Sequence, residues 1–248
     1  MSRDFNATTS IINISADASL NNAEPFTYMA WVYPEGMGEN GGGRLADKAD
    51  TGVDAGAWRV FISATTSFGF TKEYGTTSLR KITDANTVFF NRWQHVAVSW
   101  TGSNSASAVL IYLDGVVQTV YSAATDGAGA KESDAGIALR LGNIGNGTRT
   151  WDGQQAYHQL FRRVLTAEEI QAEMRQTGIL VQDRVLSSVG TGSTVGLWAL
   201  HGMSAVEPDF SGTRSVGTLS NTPFSANNPP VNMMFPPVQP GMGGLSGG

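Results

Sequence analysis

NRWQHVAVSWTG, residues 91–102, is the clearest marker of the fold in this chain. With the two-residue period of a β-strand, Val96, Val98 and Trp100 fall on one face, and Trp93, His95, Ala97 and Ser99 on the other. Two tryptophans and one of the chain's three histidines within eight residues would also suit a site where His95 works between aromatic rings. The residues C-terminal to it favour scaffold. In AVLIYLDGVVQTV (108–120), Asp114-Gly115 sits between two apolar runs, and both residues tolerate the positive φ of a two-residue hairpin turn. The reading is therefore a strand running into a hairpin, with the tryptophans packed and His95 hydrogen-bonded within the sheet.

Strands extend to both sides. FTYMAWVYP (26–34) is closed by Pro34 and followed by EGMGENGGG (35–43), a flexible loop. WRVFISA (58–64) and SFGFTKE (67–73) form the next pair, and IALRLGN (137–143) and QAYHQLFRRVL (155–165) come after the hairpin. One helix is expected, over TAEEIQAEMRQTG (166–178). Thr166 caps it, Glu169 completes a capping box, Ile170 and Met174 share a face, and Gly178 suits the stop. STVGLWALHGM (193–203) reads as a further strand and EPDFSGTRSVGTLS (207–220) as a turn-rich loop. From Asn227 onward, Pro and Gly are too dense for strand or helix.

Composition sets the outer bounds. At 248 residues and 41% hydrophobic the chain can bury a real core, whereas its 15% charged residues lie well below the ~25% of ordinary soluble domains. The net charge of −5, with no Lys/Arg run, argues against a nucleic-acid partner. No apolar stretch approaches the ~18 residues of a membrane span, so no membrane partner is expected. The absence of cysteine removes disulfides and thiol catalysis. The first twenty residues lack a basic region followed by an apolar run, so no secretory signal is expected, and the Asn-X-Ser/Thr triplets at Asn6, Asn13 and Asn146 read as chance matches.

Taken in order, the FTYMAWVYP strand, W-x-H-V-A-V-S-W, L-I-Y-L-D-G-V-V, L-R-L-G-N, W-D-G and F-R-R-V-L-T-A-E-E-I resemble the concanavalin A-like, laminin G-like (pentraxin-type) jelly roll. The likeness covers residues 26–175. It implies an all-β fold: a two-sheet antiparallel jelly-roll sandwich of six or seven strands per sheet, one short helix and an extended C-terminal tail. GLWALHGM and its Asp-x-Ser-Gly loop are similar to the segment that usually opens such domains, yet here they come after the helix. Residues 1–228 are therefore read as one domain with an unusual starting point. Its core is 26–175, 179–228 completes the sandwich, and 229–248 forms the tail. The alternative is a second, separate module of about 50 residues, marginal on its own core.

The fold also hosts glycoside hydrolases, which the resemblance associates with Glu-x-Asp-x-x-Glu on one strand. That spacing is missing, and Glu168-Glu169 sits at a helix start where the macrodipole explains it. GMGENG (36–41) matches G-x-G-x-x-G literally, but no helix comes after it to receive a pyrophosphate. His95, His158 and His201 lie apart, without metal-ligand spacing. No enzyme is expected and no cofactor required. Calcium is the one candidate ion, with Asp114, Asn143, Asn146 and Asp152 as turn oxygens. The family's acidic pair is replaced here by Ala156 and Tyr157. Trp58, Tyr74 and Trp151 border loops and are the glycan-stacking candidates, with packing in the core as the competing role. Trp151 also matches a structural Phe of the family.

Two functions are expected. The first is a non-catalytic virion structural protein, above all a bacteriophage capsid decoration protein. It would be made in the host cytoplasm and docked on the particle surface, against capsid proteins or copies of itself, through its tail. Met233, Met234, Phe235, Pro236 and Pro237 would be the anchors. A start at Met1, no signal, no cysteine and a Pro/Gly tail motivate it. The alternative is a lectin-like module for cell-surface glycans, with calcium dependence open.

Overall fold

The computed structural model describes residues 2–52, 54–176, 193–200, 206–213 and 215–230. It is a sandwich of two antiparallel sheets. The first 25 residues already contribute β1 (Ser2–Asn6) and β2 (Ile11–Ile14). Next come β3 (Phe26–Pro34), β4 (Arg44–Lys48), β5 (Trp58–Ser63), β6 (Ser67–Lys72), β7 (Leu79–Thr83) and β8 (Gln94–Trp100). β9 (Val109–Leu113), β10 (Val116–Val117), β11 (Tyr121–Thr125), β12 (Leu139–Leu141) and β13 (Asp152–Phe161) lead to α1 (Ala167–Gln176). β14 (Thr194–Trp198), β15 (Val206–Glu207), β16 (Gly217–Ser220) and β17 (Phe224–Ser225) close the described chain.

Sheet A has eight strands in the order β10-β9-β8-β3-β13-β1-β17, and β14 shares the free edge of β13 with β1. Sheet B has nine, β11-β7-β6-β5-β4-β12-β2-β16-β15. Both exceed the six or seven implied by the resemblance, because short strands from the two ends of the described chain are added to each. β1 and β17 extend sheet A; β2, β15 and β16 extend sheet B. The stretch read as a turn-rich loop over 207–220 thus contains strand as well as turn. Its turn is built on Asp209, whose carboxylate accepts from the Leu197, Ser211 and Ser215 amides at 3.0, 2.8 and 3.0 Å.

The 91–102 stretch becomes β8, paired with β3 on one side and β9 on the other. Val96, Val98 and Trp100 enter the core between the sheets. There Phe26 meets Trp58, Trp100 and Phe70 at ring distances of 5.0, 5.7 and 5.8 Å. The Asp114-Gly115 hairpin forms with both residues at positive φ. Asp114 Oδ1 accepts from the His95 amide at 2.8 Å, tying the turn back to β8.

The capping box of α1 also forms: Glu169 N donates to Thr166 Oγ1 at 3.3 Å, and Thr166 N to Glu169 Oε2 at 2.9 Å. Ile170 and Ala167 lie on Met29, Ala97, Tyr112, Phe161 and Leu165. Met174 joins Trp31, Trp93, Tyr157, Ala199 and Phe210. The outer face of sheet A is therefore a second, covered apolar layer. Sheet B has no such cover among the described residues.

Candidate functional site

Alternation along sheet B separates an inner apolar set from an outer polar one. In β5, Trp58, Val60 and Ile62 face the core, so Arg59, Phe61 and Ser63 face out. Pairing aligns Arg59 with Thr71 and Thr71 with Arg80; it aligns Phe61 with Gly69 and Arg44 with Phe61. Asp47 lies between Arg59 on β5 and Arg140 on β12. Strands far apart in sequence thereby place an arginine ladder on one face.

This face holds a cleft of ≈ 380 Å³, lined by Gly41, Gly42, Arg44, Arg59, Phe61, Ile62, Ser63, Ala64, Thr71, Ser78, Arg80 and Arg149. One wall is the 35–43 loop, which is not simply flexible. It carries a 3-10 turn at Glu39–Gly41, and Glu39 Oε2 accepts from the Thr150 amide and hydroxyl at 3.2 and 3.1 Å. Gly38, at φ +71, allows the close return, since a Cβ there would stand 2.5 Å from Gly43 Cα.

Three of the four guanidinium groups are held by neighbouring groups. Arg44 Nε lies 2.8 Å from Asp47 Oδ2. Arg59 pairs with Glu73 and donates to the Gly52 carbonyl. Arg149 Nη1 donates to the Asn40 carbonyl at 2.9 Å. Arg80 is exposed and has no side-chain partner among the described residues. Asp47 is fully buried, and burial pushes its pKa up to about 7 against the pull and hydrogen bond of Arg44 and the pull of Arg59. Burial likewise draws Arg44 down to about 10.

The sequence-derived candidates fare differently. Trp58, Tyr74 and Trp151 are 2%, 8% and 0% exposed and belong to the core between the sheets. This corrects their glycan-stacking role: a sugar cannot reach rings that the sandwich encloses. The four calcium candidates do not converge. Asp114 holds the hairpin and faces Arg92 at 3.3 Å. Asn143 Oδ1 accepts from Ile144 N and Arg149 N, and Asn146 Oδ1 from Thr148 N. Asp152 is raised by burial and by Glu35 and Asp4. Among the described residues no group of three or more His, Asp or Glu could hold a metal.

His158 is hydrogen-bonded, its Nδ1 2.8 Å from Tyr28 Oη. His95 is not bonded at Nδ1; its ring meets Trp31 edge-on at 5.4 Å. Burial lowers both to about 3, so neither exchanges a proton near neutral pH. His201 and the tail residues Met233, Met234, Phe235, Pro236 and Pro237 lie outside the described residues.

The absence of a basic run concealed the arginine cluster. Its signal was present in W-R-V, L-R-K and L-R-L, where an arginine occupies the outward phase between two inward residues. Only the pairing of the strands brings those positions together.

The family model for the concanavalin A-like lectin/glucanases superfamily matches residues 6–171. A sequence comparison with curated proteins returns no match. Among solved structures, a protein of Bacteroides ovatus described as a "putative carbohydrate binding protein" superposes with a TM-score of 0.61 at 16% identity. The match covers 94% of this chain and 61% of that one, so the chain spans under two thirds of its length. The NanB sialidase of Streptococcus pneumoniae gives 0.51 at 12% identity, over 68% of this chain and 27% of that one. The CBM40 of a Ruminococcus gnavus IT-sialidase gives 0.49 at 14%, over 69% and 97%. These likenesses concern the fold.

Proposed function

The chain belongs to the concanavalin A-like lectin/glucanases superfamily, and from that membership we propose that it is a lectin-like, non-catalytic carbohydrate-binding module whose ligand lies across the cleft of sheet B. The observation that carries this reading is an open cleft on an uncovered sheet face, lined by guanidinium and hydroxyl groups. Such converging donors suit the many oxygens of a saccharide. Hydrolysis would need a carboxylic acid and a carboxylate flanking the bond. The lining contains neither, and Asp47 and Glu73 are engaged in holding Arg44 and Arg59. The Bacteroides ovatus relative, described as a carbohydrate binder, is in keeping with this role.

The test is a glycan array with wild type and Ala64→Trp, since Ala64 is exposed at the cleft and an indole there would fill it. Binding that is lost in the variant at an unchanged melting temperature supports the reading. No binding by the wild type, with or without calcium, contradicts it.

A virion context is a second reading, in which the tail would dock from the outer face of sheet A. Asn227 accepts from Trp93 Nε1 at 3.1 Å and donates to Gln154 at 2.7 Å, on the outer face of sheet A. A tail docked to a phage particle from there would leave sheet B turned outward. Deleting 229–248 should then keep fold and glycan binding but abolish incorporation into particles; normal incorporation refutes it.

A further inference from the structure

We infer that the cleft selects acidic saccharides, whose carboxylates are taken by Arg80 on one side of it or Arg149 on the other. This rests on the binding role proposed above and specifies its ligand class. Charge is the first ground. Within the cleft Arg44 is offset by Asp47 and Arg59 by Glu73, whereas Arg80 and Arg149 have no carboxylate partner among the described residues. Two uncompensated cations thus share one face of a protein whose net charge is −5. A guanidinium presents its N–H groups as a planar fork that matches the two oxygens of a carboxylate.

The lack of an open aromatic ring is the second ground. Neutral sugars are commonly held by stacking on an exposed ring, and the cleft offers none. Phe61, the one aromatic residue in its lining, is pressed on Gly69, where a Cβ would come 2.6 Å from Cζ, and is covered by Arg44 at 5.1 Å from the ring centre. With stacking blocked, recognition falls to charge and hydrogen bonds.

Calorimetric titration of the full chain with an oligogalacturonate and a sialylated trisaccharide, each against its methyl ester, tests this. At least one acid should bind, and its ester should bind roughly tenfold or more weakly. Arg80→Ala should weaken binding of the acid by a similar factor, and Arg92→Ala, an equal charge change just before β8 of sheet A, should leave it unchanged. Equal binding of acid and ester, or an unchanged Arg80→Ala, overturns the inference while the carbohydrate-binding role stands. Binding of neither acid overturns it, as does preference for a sulfated oligosaccharide over both; absence of any glycan ligand removes the role as well.

Discussion

The outer faces of the two sheets are built from the same alternation and end as opposites. On sheet A the outward phase carries Met29, Trp31, Ala97, Tyr157 and Phe161, and α1 and the segment around Ala199 and Phe210 cover it. On sheet B the outward phase carries Arg59, Thr71, Arg80 and Arg140, and no helix lies over it among the described residues. Burying guanidinium groups without partners costs far more than packing apolar side chains returns. The residues on the outward phase therefore determine which face receives a covering layer and which remains open to a ligand.

The largest expected effect tests the inner layer that both faces share. Trp58→Ala should destabilise the fold by about 3–5 kcal/mol, as loss of a buried aromatic does. If the variant kept full stability in urea unfolding, Trp58 would not be core. Ile170→Ala should cost about 2–5 kcal/mol by opening the layer under α1. A negligible cost would mean that the helix does not seal sheet A.

The pH dependence separates the faces by sign. His95 and His158 are depressed to about 3, so the stability they confer is present above pH ~6.5 and lost as pH falls toward 3. Asp47 is raised to about 7, so its contribution is full below pH ~3.8 and lost as pH rises toward 7. The two opposing effects overlap in mild acid. Asp47→Asn should therefore steepen the loss of stability on acidification between about pH 6.5 and 4, by roughly 1 kcal/mol per pH unit. An unaltered slope would show that Asp47 is ionised as in water. At the small end, Arg80→Ala should change stability by no more than about 0.5 kcal/mol, because Arg80 is exposed and unpartnered among the described residues.

Much of the fold was legible because its signals are local. Val96, Val98 and Trp100 alternate, Asp114-Gly115 marks a turn, and Thr166 with Glu169 marks a helix start. The short strands β1 and β2 were not read, although Ile12 and Ile14 share one phase, because four or five residues carry little periodic signal. The misassigned aromatics are more instructive. Nearness to a loop suggested access for Trp58, whereas its phase with Val60 and Ile62 already pointed inward. Tyr74 shares the phase of Phe68 and Phe70 in the same way. The cleft was illegible for a different reason: Arg59 and Arg80 become neighbours only through the pairing of β5, β6 and β7. Pairing register is a tertiary fact.

Chemical-shift mapping with an acidic oligosaccharide locates the binding face, for which the cleft on the outer side of sheet B is the proposed place. Perturbations centred on Arg44, Arg59, Phe61, Thr71 and Arg80 are the expected result. Perturbations centred instead on Tyr33, Trp93 and the Asp114 hairpin of sheet A would contradict it.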